Sequence, residues 1–559
     1  MAASKHTELI PRNILFGNPT KTSPRISPDG QHLAYLAPVD NVLNVWVGAV
    51  SGNEYAPLTS DTERGIRSYF WAPNNKHILY VQDTGGNENW RLYATNVETH
   101  ETRDLTPFEN VQVQILDQDK HFPDELLIAM NKENPQVHDV YNLNLSTGAL
   151  TLVAQNPGNI AGWIVDTQFK VRGAMAARAD GGMDLLVRNT EQDAWRTLFG
   201  WDSDDALTSG ALSFTRDGQS LYLQDSRHVN AGRLIKLDLS TNEETVIAED
   251  AQYDVATVMI HPDSYEIQAV AFDRDRVEWL VLDASIQIDF DRISGIHQGD
   301  FSVVSRDDAD ETWLIAFNVD NGPVPYYAYH RKPQSAEFLF DNMPALSDYT
   351  LAHTEPVTFS ARDGLTIHGY LTRPVGQQTN LPLVLNVHGG PWARDTWGFN
   401  PEAQWFANRG YACFEINYRG STGYGKEFLN AGNKEWGRNM HYDLVDGMQW
   451  AIQQGIADPQ QVAIYGGSYG GYAALVGATM TPDLFRCAVD IVGPSNLITL
   501  IQTTPPYWST AMAAFKQRVG DPETEAEFLK SRSPLFHVHN IKIPMLHCSG
   551  GQRSARETS

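Results

Sequence analysis

The chain has 559 residues, a formal charge of −26, 42% hydrophobic and 20% charged residues. That length exceeds what one hydrophobic core supports, so at least two domains are expected. The negative charge argues against nucleic acid and anionic membrane surfaces as partners, because both would be repelled. Three cysteines, Cys413, Cys487 and Cys548, give neither a disulfide framework nor a metal-ligand spacing, and no metal or cofactor is expected. Cys413 and Cys487 lie in apolar runs where an inert buried thiol is expected.

Residues 1–17 carry charge without a continuous apolar run, so no secretory signal is expected, and no stretch is long and apolar enough to span a bilayer. A cytoplasmic location is the default expectation. Residues 1–345, after a short N-terminal extension, read as short alternating strands with turn signals and almost no helix-period segments. One pattern recurs: strand, Pro/Asp/Gly turn, strand. It stands at Ser27-Pro28-Asp29-Gly30, Ala72-Pro73-Asn74-Asn75, Thr215-Arg216-Asp217-Gly218 and His261-Pro262-Asp263. Such turn residues supply the dihedrals a hairpin needs. Hairpins repeated at these intervals predict a β-propeller, and at roughly 40–45 residues per blade the span holds about seven. The alternative is a stack of separate β-sandwiches.

Residues 346–559 change period. Apolar strands at 383–387, 412–416, 462–465, 488–492 and 543–546 alternate with helical segments at about 401–409, 440–454 and 470–480. This alternation predicts a parallel sheet covered on both faces, with ligands bound beyond the strands' carboxyl ends. Gly466-Gly467-Ser468-Tyr469-Gly470-Gly471 falls there, between the β-branched run Val462-Ala463-Ile464-Tyr465 and the helical run that follows. Strand, sharp turn and helix around G-x-S-x-G make a nucleophile elbow, with the Ser468 hydroxyl exposed above the sheet. A serine attacking an acyl carbon needs donors for the oxyanion. The Tyr469 N–H supplies one, and the loop Val387-His388-Gly389-Gly390-Pro391-Trp392 has the form expected of the second.

His388-Gly389-Gly390-Pro391, then Asn417-Tyr418-Arg419-Gly420-Ser421-Thr422-Gly423-Tyr424-Gly425, then Trp436-Gly437 with Asp443 and Asp446, then the serine elbow, resemble the prolyl oligopeptidase family. The acylaminoacyl-peptidase-like branch is the nearest in form. The resemblance covers nearly the whole chain and implies an N-terminal propeller joined to a C-terminal α/β-hydrolase domain. It also implies a serine peptidase acting on short peptides, with the propeller keeping folded proteins out. By motif, Ser468 is then the nucleophile, and the Tyr469 and Gly390 N–H groups are the oxyanion donors. Tyr507 and Trp508 are implied as walls of the pocket for the residue before the scissile bond, although aromatics there also suit a core.

The chain departs from that family at its end. The family's acid lies in a G-x-x-D-x-R-V loop after the strand at 543–546, and its histidine comes later. Here the sequence runs His547-Cys548-Ser549-Gly550-Gly551-Gln552-Arg553 to Ser559. An allowed codon choice for this tail, with one base removed, encodes Ala-Gln-Gly-Ala-Asn-Asp-Pro-Arg-Val-Lys-His, so a shifted reading frame is expected. The hydrolase domain is therefore expected to be incomplete, lacking the triad acid and histidine, with an open apolar sheet edge. His388, His441, His537 and His539 are expected to be structural, His547 to lack a companion acid, and Asp490 to lack a histidine. A serine without its base is expected to be nearly inactive. A catalytically dead binding scaffold and an esterase on the same fold stand as alternatives.

Overall fold

The computed structural model describes residues 8–549 apart from 51 and 53. Seven antiparallel sheets follow one another from Thr22 to Asp341, each a meander of strands consecutive in sequence. Six have four strands and the sixth blade has three, its outer position followed by the helix Gln287–Ile293. The recurring turns occupy one place in the blade, between its first and second strands, as in Thr22–Ile26 with His32–Val39 and Gly210–Phe214 with Ser220–Asp225.

Neighbouring blades share their cores. Leu36 and Val45 of blade 1 pack with Trp71 and Ile78 of blade 2. Phe214 and Leu221 of blade 5 pack with Leu185 and Trp201 of blade 4. The ring closes where Tyr35 of blade 1 meets Leu314 and Phe340 of blade 7. A face buried against the next blade is what a propeller strand needs and a free sandwich would not provide. This sets aside the stack of sandwiches.

The second domain holds a seven-stranded sheet ordered Thr354–Ser360, Thr366–Thr372, Ala412–Asn417, Leu381–Val387, Ala457–Gly467, Cys487–Ile491, Met545–Cys548. The last five run parallel, and the central strands are apolar and buried, as a sheet covered on both faces requires. Asn400 caps the helix Pro401–Asn408 through the Glu402 and Ala403 N–H groups, at 2.8 and 3.2 Å, with Pro401 at the first turn. The helix Tyr469–Met480 is buried almost all round, the pattern of a central helix rather than a surface one. The N-terminal segment crosses to this domain: the Ile10 N–H donates to Asn408 Oδ1 at 2.7 Å, Arg409 donates to the Ile10 carbonyl, and Phe16 meets Trp405 edge-on.

Candidate active site

Ser468 sits at the junction of the strand Ala457–Gly467 and the helix Tyr469–Met480, exposed, with φ 56° and ψ −117°. A positive φ at a residue with a Cβ is strained and persists only where the surroundings enforce it. They do so through glycine. A Cβ on Gly470 would lie 1.9 Å from the Val387 carbonyl oxygen, and one on Gly466 would lie 2.6 Å from the same atom. A Cβ on Gly471 would lie 2.4 Å from Asp490 Oδ1. The Ser468 N–H donates to the Ile491 carbonyl at 2.9 Å, and the Tyr472 N–H returns to the Ser468 carbonyl at 3.0 Å. The elbow is held from below by both flanking strands.

The glycine loop comes to the serine. A Cβ on Gly389 would be 3.5 Å from Ser468 Cβ, and Gly390 follows at φ 124°, a conformation that favours glycine. The loop is braced from behind. His388 stacks on Tyr418 with ring centroids 4.4 Å apart, its Nδ1 lies 2.8 Å from the Gly389 carbonyl, and its Nε2 lies 3.0 Å from Ser421 Oγ. Both ring nitrogens are thus engaged away from Ser468, and burial lowers the His388 pKa to about 4. Tyr418 and Ser421 flank Arg419, whose guanidinium is shared between the buried Asp443 and the turn residue Asp363. Asp446 instead pairs with Arg362.

His441 lies in the first turn of the helix Asn439–Gln453 with Nε2 on Thr481 Oγ1 at 2.8 Å, and burial lowers its pKa to about 4. His537 turns to the Ser531 carbonyl. His547 corrects the sequence reading: it has a companion acid. Parallel register sets it beside Asp490, with Nδ1 2.5 Å from Asp490 Oδ2, while the ring is 57% exposed and the carboxylate fully buried. Asp490 stands beside Gly466 on the adjacent strand, and His547 lies level with them one strand further, about 10 Å from Gly466 at ordinary strand spacing. Among the described residues, no side chain hydrogen-bonds the Ser468 hydroxyl. The tail expected to be frame-shifted lies, from residue 550 onward, outside the described residues.

The two aromatics read as pocket walls part company. Trp508, 41% exposed, lies 6.3 Å from the Phe515 ring, which meets Trp392 edge-on at 5.6 Å. Trp392 follows the glycine loop, so Trp508 is linked through Phe515 to the residue next to that loop. Tyr507 turns to the propeller, where its hydroxyl donates to Glu88. Sequence reasoning missed Val492, 52% exposed at φ 51° and one residue beyond the carbonyl that anchors Ser468. It named Trp392 only as a loop residue and passed over Phe515 and Glu88, since no local pattern joins them to Trp508 and Tyr507. Cys413 is buried as expected, whereas Cys487 is only half-buried, at the start of its strand.

Beside the loop lies an acidic group. Asn400 Nδ2 donates to Glu415 at 2.5 Å and the Tyr465 hydroxyl donates to Glu402 at 2.6 Å. Burial, and then the charge of Glu402, raise the Asp395 pKa to about 7, although Arg394 opposes them. Among the described residues, no three His, Cys, Asp or Glu side chains form a metal-binding group, and no helix is long and apolar enough to cross a membrane.

The sequence profile of the prolyl oligopeptidase family matches residues 397–552. Dipeptidyl aminopeptidase BIII of Pseudoxanthomonas mexicana is 44% identical over 551 residues, covering 97% of this chain and 80% of that protein. Dipeptidyl peptidase family member 6 of Caenorhabditis elegans is 34% identical, covering 97% and 79%. Among solved structures, a puromycin-hydrolyzing peptidase of Mycobacterium tuberculosis aligns over 96% of this chain and 87% of its own, with a TM-score of 0.72 at 18% identity, a likeness of fold.

Proposed function

The chain belongs to the prolyl oligopeptidase family of serine peptidases, and from that premise we propose that Ser468 is its nucleophile, acting on short peptides. The observation that carries this is the elbow itself: a serine at φ 56° with Gly389 packed against its side chain. In this reading the Ser468 oxygen attacks the scissile carbonyl carbon, the C–N bond breaks, and the amine leaves with the proton that the hydroxyl gives up, so that an ester remains on the protein. The Tyr469 and Gly390 N–H groups take the oxyanion that forms on the way, and water then releases the acyl group. The wall of Trp508, Phe515, Trp392 and Val492 receives the residue before the cut.

The base is the weak member. His388 and His441 have their nitrogens directed elsewhere or buried, and His547, two strands from the elbow strand, is tied to Asp490. With no base reaching it among the described residues, Ser468 keeps the reactivity of an alcohol beside an oxyanion hole. Labelling by a fluorophosphonate probe is expected to be slower than in the P. mexicana relative, on the order of 10⁴-fold. Equal rates would remove the inactivity reading, and a probe found on another residue would remove Ser468.

A finer reading follows from the relatives' names and from Glu88. We propose that dipeptides leave from the substrate's amino end, with Glu88, carried by a propeller loop to Tyr507, facing the substrate's ammonium. Calorimetry with free and N-acetylated tripeptides checks it: acetylation is expected to weaken binding, and tighter binding of the acetylated peptide points to the acylaminoacyl mode instead.

A further inference from the structure

The turns between first and second strands line one face of the propeller, the face away from the hydrolase domain. Most are short and bond only to the next blade. The Asp29 N–H of blade 1 donates to Asn75 of blade 2, Thr167 of blade 4 to the Arg216 carbonyl of blade 5, and the Asp308 N–H of blade 7 to the Pro28 carbonyl of blade 1. Blade 3 differs. Between Val113–Asp117 and Glu125–Met130 it carries the longer segment 118–124, against 27–31 in blade 1. Asp119 accepts the hydroxyl of Tyr265 from blade 6, and Lys120 pairs with Asp263 of the same blade. Lys120 Nζ also donates to the Asp308 carbonyl of blade 7 at 3.2 Å. Blades 3 and 6 are as far apart as a ring of seven allows. A bond between their turns crosses the axis.

The segment is built for that span. Asp119 Oδ1 takes the His121 N–H and lies 2.7 Å from His121 Nδ1, and the Asp119 carbonyl takes the Phe122 N–H. Phe122 stacks on Phe169 of blade 4 at 5.0 Å and 13°. Lys120 is the cation paired with the Asp263 carboxylate, and only 19% of its side chain is exposed.

The opposite face is covered by the hydrolase domain. Its contacts run round the ring: Tyr507 to Glu88 of blade 2, Ser509 to Gln136 of blade 3, Gln517 against Gly181 of blade 4. They continue with Lys426 to Asn230 of blade 5, Arg394 to Asp273 of blade 6 and Asn318 of blade 7 to Trp397. Among the described residues, blade 1 has no hydrogen bond or ion pair with the hydrolase domain. We propose that segment 118–124 is a strap that shuts the axial channel at the outer face, and that Asp119, Lys120 and Tyr265 thereby send substrate to Ser468 past blade 1. The peptide as traveller rests on the function proposed above; the strap does not.

The test separates the two by reading access instead of turnover. Ser468→Cys in the full chain places a thiol at the elbow, and its reaction with methyl maleimide is followed by mass spectrometry of the 468 peptide, which distinguishes it from Cys548. The same chain is then made with Asp263→Asn and Tyr265→Phe. Trypsin cleavage after Lys120 reports whether the strap has let go, and about a tenfold faster cut is expected. With the strap loosened, a second route opens and labelling at 468 is expected to rise about twofold or more. A faster cut with unchanged labelling overturns the channel closure, and an unchanged cut overturns the contacts as the tether. Neither result touches the peptidase reading, which the fluorophosphonate comparison decides.

Discussion

The propeller and the hydrolase sheet solve one problem in opposite ways. In the propeller every blade buries its face against a neighbour, and blade 7 meets blade 1, so the ring has no first or last member. The hydrolase sheet has ends. Among the described residues its Met545–Cys548 strand is the outermost on one side, with Leu546 58% exposed and Leu535, Phe536 and Val538 exposed in the preceding segment. The ring spreads its stability over many equivalent contacts, while the sheet concentrates both stability and chemistry in a few residues near the elbow. Damage there should register in one domain only.

The largest effect is expected at Arg419. Its removal leaves Asp443 buried without its cation, and Arg419→Ala should destabilise the hydrolase domain by about 4 kcal/mol. Urea unfolding followed by a probe in each domain checks it; equal loss in the propeller would contradict the division drawn above. Gly470→Ala comes next, since its methyl group meets the Val387 carbonyl oxygen. A cost of about 3 kcal/mol is expected in the same transition, with the propeller unchanged.

A smaller effect depends on pH. The folded Asp395 carboxyl has its pKa raised from 3.8 to about 7 by burial and by Glu402, so between those values the folded state holds a proton the unfolded chain has lost. Its contribution is favourable at low pH and fades as pH rises towards about 7. The melting temperature of the hydrolase domain should fall over that window, and Asp395→Asn should flatten the slope. A slope unchanged by the substitution would assign it to Glu415 or another group. The smallest effect on stability, within about 0.5 kcal/mol, is expected for Leu546→Lys on the exposed edge. Light scattering should nevertheless show less aggregation, because a charge on an edge strand discourages pairing with a second chain.

Much of this was legible along the chain because it is local. The elbow is written in consecutive residues, although the contacts that force its glycines come from Val387 and Asp490 on the neighbouring strands. The blade turns are likewise short-range chemistry, which is why the Asp-Gly and Pro-Asp patterns marked the right places. What escaped depends on register and distance. His547 was read as lacking an acid because no sequence pattern says that it pairs with Asp490 in a parallel ladder. No pattern announces that the Tyr507 hydroxyl bonds Glu88, more than four hundred positions earlier. Lys120 looks like any loop lysine until blade 6 is brought opposite. Helix Gln287–Ile293 in the sixth blade was hidden by its shortness.

The amino-terminal clasp has a consequence for the order of assembly. The amide of Ile10 finds its acceptor on Asn408, 398 positions later, so this knot cannot be tied while the ribosome is still making the propeller. The segment around Ile10 must wait for this acceptor until the capped helix Pro401–Asn408 emerges, and it docks among the last. Breaking the Ile10–Asn408 bond would therefore burden a late step of maturation and leave the earlier ring untouched.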